Sequence, residues 1–263
     1  MNRLDTLFSS KSDQILNVYF TAGYPSLHDT KDIILGLEAG GADLIEVGIP
    51  YSDPLADGTT IQQSSTQALA NGMSLEVLFE QLQQVRQETE IPLVLMGYYN
   101  QVLQFGESRF IDFCTSAGVD GLILPDLPLA EFQSDMLALC QQADLRVSFL
   151  ITPQTSEARI RQIDQISNGF IYVVSSSSIT GKTRDISPQQ IEYFERIEGM
   201  NLKNPRLIGF GISDAKSFQT ACQYANGAII GSAFIRALGA GTNAREDAKT
   251  FVEKVRSKET ILS

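Results

Sequence analysis

Two carboxylates stand eleven positions apart in the stretch from 44 to 61, LIEVGIPYSDPLADGTTI. Glu46 interrupts an apolar run, Leu44, Ile45, Val47 and Ile49, of the kind carried by a strand buried on both faces. A carboxyl group inside such a strand loses hydration, so its pKa rises and it holds a proton more readily than a surface glutamate. Asp57 follows in a loop constrained by Pro50, Pro54 and Gly58. Where that loop folds over the end of the strand, the two acids face one pocket in unlike surroundings. Such a pair supplies one proton donor and one base near neutral pH. An ion-paired core glutamate and a turn-forming aspartate fit the same residues, and the pattern alone does not choose between the readings.

A second group of residues is suited to an anion. Gly209-Phe210-Gly211-Ile212-Ser213 and Gly231-Ser232-Ala233 each follow an apolar strand, and the latter leads into a helix. Glycines let backbone N–H groups approach an anion closely, and the positive end of a following helix favours negative charge. Either cluster alone also serves as a tight turn; two of them at adjacent positions favour phosphate. The polar segment SSSSITGKTRDISP, 175–188, is suited to closing over a ligand, with Gly181 as a further backbone donor and Lys182 or Arg184 as added charge. A solvated surface loop is its plain alternative. Tyr19, Met96, Tyr98, Ile123, Asp126, Tyr172 and Phe210 fall at other strand ends. Most are aromatic or aliphatic, and they form either barrel packing or a flat apolar pocket for a planar ring. Asp126, between Pro125 and Pro128, also fits a role in orienting its own loop.

The elements that must hold these residues alternate along the chain. Strands are expected at 15–21, from 44, at 92–97, 120–124, 146–151, 170–174, 206–210 and 227–230. Helical periodicity appears at 26–39, 61–70, 75–88, 107–117, 129–142, 156–166, 188–197, 214–224 and 245–257. An amphipathic piece precedes the first strand. Eight short apolar strands separated by helices in 263 residues outline a (β/α)8 barrel, a single domain over 1–263 with a short extra N-terminal helix. Its active site then lies in the loops at the carboxyl ends of the strands. A doubly wound open sheet fits less well, because TAGYP after the first strand is not a dinucleotide-binding turn.

Composition removes other chemistries. The excess of 31 Asp and Glu over 20 Lys and Arg argues against nonspecific binding to nucleic acid or to an anionic membrane. No apolar run is long enough to span a bilayer, and MNRLDTLFSSK lacks a signal-peptide core. The expected location is the cytoplasm, or a plastid after loss of an import leader. Cys114, Cys140 and Cys222 read as buried small hydrophobes, without a disulfide or metal role. His28 is the only histidine, so histidine-ligated zinc and Ser-His-Asp triads are poor hypotheses. No lysine lies within a strand or at its immediate end, which leaves a Schiff-base aldolase without a nucleophile. Without histidine ligands or a carboxylate cluster, a metal-dependent aldolase is also disfavoured. Acid–base work by Glu46 and Asp57 on a phosphorylated, ring-bearing substrate is what remains.

These residues resemble the tryptophan synthase alpha chains. The likeness covers nearly the whole chain, and its most specific block runs from Glu46 to Gly58, EVGIPYSDPLADG, with Ile61-Gln62. Tyr98 and Asn100, Asp126 with Pro128, Tyr172, Thr180-Gly181, the Gly209–Ser213 turn and Gly231-Ser232 also match. The resemblance implies retro-aldol cleavage of indole-3-glycerol phosphate to indole and glyceraldehyde 3-phosphate, in tryptophan biosynthesis. It implies that Glu46 protonates indole C3 and handles the glycerol hydroxyl proton, while an ionised Asp57 stabilises or accepts the indole N–H proton. Thr180 would hydrogen-bond Asp57. Gly181, Gly211, Gly231 and Ser232 would hold the phosphate, Tyr19, Met96, Ile123 and Phe210 would flank the indole, and Tyr172 would stand near the glutamate.

The same resemblance implies a pyridoxal-phosphate-dependent beta chain that receives indole through a tunnel, in an alpha2beta2 tetramer with Asp53 and Pro54 at the interface. The cofactor would belong to that partner, and none is expected in this chain. A free-standing lyase releasing indole, and a weakly catalytic ligand-binding regulatory subunit, are the alternatives. Three residues depart from the family pattern. Thr59 and Gln101 replace common prolines, and Ser178 replaces a usual glycine, a change expected to alter closure of its loop and coupling to a beta chain.

Overall fold

The computed structural model describes residues 1–54, 57–175, 187–209, 211–241 and 243–257. Among them, parallel strands β1 (Ile15–Thr21), β2 (Leu44–Gly48), β3 (Leu93–Met96), β4 (Gly121–Ile123), β5 (Arg146–Ile151), β6 (Ile171–Val174), β7 (Arg206–Gly209) and β8 (Gly227–Ile230) form a closed barrel in sequence order. Helices α1 (Arg3–Ser10), α2 (Thr30–Gly40), α3 (Thr59–Ala70), α4 (Leu75–Val85), α5 (Tyr99–Phe105) and α6 (Glu107–Ser116) belong to the first half. They are followed by α7 (Leu129–Glu131), α8 (Leu137–Gln142), α9 (Glu157–Ile166), α10 (Pro188–Gly199), α11 (Ala215–Ala221), α12 (Ser232–Ala240) and α13 (Ala244–Arg256). This is the (β/α)8 architecture with an extra helix before β1.

The strands are apolar on both faces because each face is covered. Along β1, Leu16, Val18 and Phe20 pack outward into the layer beneath the helices, whereas Ile15 joins Leu44, Val94, Ile123, Phe170, Tyr172, Leu207 and Ile229 inside the barrel. One end of the barrel is plugged. The α1 residues Leu4, Leu7 and Phe8 pack against this inner cluster, with the Phe8 and Phe170 rings 6.1 Å apart. The Asn2 amide donates to the carbonyls of Asp120 at 2.9 Å and Asp144 at 2.6 Å, fastening the plug to the entries of β4 and β5. Buried Asp120 also accepts from Arg3 and Arg86, each at 3.1 Å, and from the Leu93 N–H at 2.9 Å. With this end sealed, access to the interior is from the carboxyl ends of the strands.

Several elements differ from their expected limits. α2 begins at Thr30, after turns that include exposed His28. The helix expected over 129–142 is interrupted by a π-helical segment, Phe132–Met136. α5 has no counterpart among the expected helices; its first turn is held by side chains distant in sequence, described below. Cys114 and Cys140 are buried free thiols, and Cys222 is a half-buried one. Among the described residues, no helix is long and apolar enough to cross a membrane, and no group of three or more His, Cys, Asp or Glu is placed to hold a metal.

Candidate active site

Glu46 lies at the middle of β2, in register with Tyr19 of β1 on one side and Val94 of β3 on the other. The strand alternation that sends Ile45 and Val47 outward turns Glu46 into the barrel. Its side chain is fully buried. Burial pushes its carboxyl up to about 8, opposed by a hydrogen bond from Asn17, whose Nδ2 donates to Oε1 at 2.5 Å. Oε2 has no hydrogen-bond partner among the described residues. A glutamate so placed is a proton donor at neutral pH that ionises within reach of it.

Asp57 comes from the loop between β2 and α3 and is half-buried. The Tyr98 hydroxyl donates to its Oδ2 at 3.0 Å, and the Gln62 amide donates to its carbonyl at 2.8 Å. Burial holds the carboxyl above the ordinary aspartate range, and the Tyr98 hydrogen bond pulls it back. Asp57 is thus only partly open to solvent, because its loop folds inward and Tyr98 covers it. Both acids act electrostatically on the same two phenols. Tyr19 is raised by burial first and then by the charges of Asp57 and Glu46; Tyr172 is raised by burial first and then by Glu46, with Asp57 contributing as well.

Tyr19 and Tyr172 are buried at the mouth, each lying across the terminal glycine of the neighbouring strand. A Cβ on Gly48 would overlap the Tyr19 hydroxyl, and one on Gly209 would overlap the Tyr172 ring. Met96 and Ile123 stand side by side in register on β3 and β4, Ile123 buried and Met96 half-buried. On the opposite side, Gly211 is exposed with φ +82°, a backbone conformation that disfavours other residues. The two helices near this side differ at their starts. Asp214 caps α11, accepting from the Ser217 N–H at 2.9 Å, whereas α12 begins at Gly231-Ser232 with no side-chain cap. Uncapped first-turn N–H groups suit an oxyanion.

Side chains whose contacts the sequence reading did not assign complete the loop frame. The Gln101 side chain accepts from the Tyr98 N–H at 3.0 Å and donates to the Pro50 carbonyl at 2.9 Å. Asp126 accepts from the Tyr99 N–H at 2.8 Å, so it orients the start of α5. The Tyr51 and Tyr98 rings are 5.0 Å apart, and Asn100 donates to the Tyr51 hydroxyl at 2.9 Å. Asp53 is exposed and Pro54 half-buried in the same loop. Thr180, Gly181 and Phe210 lie outside the described residues, as do Ser178, Lys182 and Arg184. Asn17 was also missed; the signal was a lone amide within the apolar ILNVYFT.

A family model described as tryptophan synthase alpha chain matches residues 7–262. The chain belongs to the tryptophan synthase alpha chain family. The alpha chain of Flavobacterium johnsoniae is 54% identical over 90% of this chain and 94% of its own. That of Christiangramia forsetii is 50% identical over 98% and 99%. A tryptophan synthase complex from Pyrococcus furiosus contains a chain with a TM-score of 0.84 and 33% identity, covering 93% of this chain and 98% of its own. Within the alpha-chain pattern, Thr59 takes the first position of α3, where proline's fixed φ is favourable. Gln101 takes the third position of α5, where its amide makes two hydrogen bonds that proline has no side-chain groups to make.

Proposed function

We propose that Glu46 and Asp57 carry the alpha-chain reaction, the retro-aldol cleavage of indole-3-glycerol phosphate into indole and glyceraldehyde 3-phosphate. Protonated Glu46 delivers its proton to indole C3, and positive charge develops toward the ring nitrogen, where Asp57 accepts or stabilises the N–H proton. The Glu46 carboxylate then takes the proton of the glycerol hydroxyl on the carbon attached to C3. The carbon–carbon bond breaks as the aldehyde forms, its electron pair returns to the ring, a proton taken by Asp57 goes back to the ring nitrogen, and Glu46 is again protonated. The observation that carries this reading is the fully buried Glu46, raised to about 8 and in register with Tyr19 at the open end of the barrel.

In this reading Tyr19, Met96, Ile123 and Phe210 flank the indole and Tyr172 stands beside Glu46. Gly211, Gly231 and Ser232, with Gly181, hold the phosphate, and Thr180 bonds Asp57. The uncapped start of α12 and the left-handed Gly211 support that choice of phosphate cradle. The chain is an alpha subunit of tryptophan synthase, which functions with a beta chain. We propose that the partner is the pyridoxal-phosphate-dependent beta chain of an alpha2beta2 tetramer, with Asp53 and Pro54 at the contact and the pyridoxal phosphate held by the partner. The test is indole release from indole-3-glycerol phosphate, with and without beta chain. Glu46→Gln is expected to abolish release under both conditions and Asp57→Asn to reduce it severely. Undiminished turnover by Glu46→Gln would overturn the assignment, and full activity unaffected by beta chain would favour a free-standing lyase.

A further inference from the structure

We infer that Asn17 is the positioning residue for Glu46, holding its carboxyl group in both the acid and the carboxylate halves of the reaction. The inference rests on the acid–base reading of Glu46 given above. Asn17 is fully buried on β1, in register with Leu44 on one side and Ile229 on the other. Its neighbours inside the barrel are apolar, so an amide there serves packing poorly. Its Nδ2 donates to Glu46 Oε1 at 2.5 Å, while its own Oδ1 is buried and has no partner among the described residues, as is Glu46 Oε2. Burying an amide oxygen unpaired is unfavourable, and that arrangement makes sense where the second end of the amide has a use.

An amide has that use beside a group that must change protonation state. The N–H end donates to the carboxylate, and a half-turn of the amide presents Oδ1 to the O–H of the acid. Neither form of Glu46 then stands in the barrel without a partner. A leucine at this position would keep the branched outline without the polar atoms and serve neither state. The other titratable groups acting on the site are Tyr19 from β1, Tyr172 from β6, and Asp57 with its partner Tyr98 from the loops. The phenols of Tyr19 and Tyr172 are raised by burial and remain neutral while Glu46 titrates.

The experiment compares the intact chain with Asn17→Leu, Asn17→Thr and Glu46→Gln. Two readouts are taken: the pH profile of indole release, and the titration of the Glu46 carboxyl by infrared difference against Glu46→Gln. Removing the donor disfavours the carboxylate, so in Asn17→Leu both the infrared titration and the basic limb of the rate profile should move upward together, by about one pH unit. KM should change by less than about two-fold, since Asn17 touches no substrate in this scheme. Asn17→Thr, which keeps a hydroxyl in the strand, should show a smaller shift, and it keeps the comparison available if the leucine variant does not fold. If Glu46→Gln is inactive but the folded Asn17 variants leave both titrations unmoved, Asn17 is only a packing residue and the inference fails alone. If Glu46→Gln turns over normally, the acid–base reading fails and takes this inference with it.

Discussion

Inside the barrel, position 46 holds a carboxyl group where its neighbours are hydrocarbon, and this has a consequence for stability as well as chemistry. The folded chain keeps the Glu46 proton up to about 8, whereas an unfolded glutamate releases it near 4.5. Between those values the folded state binds more protons, so stability falls as pH rises through the window and the loss is complete above it. At about 1.4 kcal/mol per pH unit, the contribution of this one group is at most roughly 5 kcal/mol. Urea unfolding near the two ends of the window should show wild type losing stability toward the alkaline end relative to Glu46→Gln, which lacks the titration. Tyr98 makes a second residue-level prediction. Its hydroxyl is the bond that pulls the Asp57 carboxyl down, so Tyr98→Phe should raise that carboxyl further and lower kcat/KM for indole release by about ten-fold. An unchanged kcat/KM would remove Asp57 from the ring-nitrogen role.

The elements that hold these residues differ in how far they can be read from the chain. The strands are legible because burial on both faces leaves near-continuous runs such as Ile15–Thr21 and Arg146–Ile151, and these limits match the expected ones. α5 was not legible, since its start follows Tyr98 rather than Ser, Thr, Asp or Asn, and its first turn is fastened by Asp126 and by Gln101, which reaches back to Pro50. The π-helical turn within 129–142 likewise left no mark in the apolar periodicity. The frame around α5 predicts that Gln101→Ala, losing its bonds to Pro50 and Tyr98, destabilises the chain by about 1–2 kcal/mol. Because those bonds join the β2 and β3 loops that carry Asp57 and Tyr98, it should also lower indole release; thermal unfolding and kcat/KM measured on the same sample check both. A stability loss without any kinetic change would mean that the two loops are held together by other contacts.

Over the whole molecule, the two ends of the barrel divide the labour. The sealed end, with α1, Asn2 and the Asp120 ion pairs, serves stability, and the open end carries the acids and the glycine turns. Leu4→Ala, which hollows the plug, should therefore cost about 2–5 kcal/mol of stability while leaving KM for indole-3-glycerol phosphate unchanged. The two carboxylates and the glycine turns were visible in the sequence because such residues stand out against apolar strand ends. Asn17 and Tyr98 were not assigned their places, because their roles depend on register across β1 and β2 and on a loop folding inward. The most direct measurement is the pH dependence of indole release by the isolated chain, with wild type and Glu46→Gln side by side. The account predicts a basic limb near the Glu46 value of about 8 in kcat/KM for wild type and no measurable release by Glu46→Gln at any pH. Release by Glu46→Gln with the same limb would contradict it.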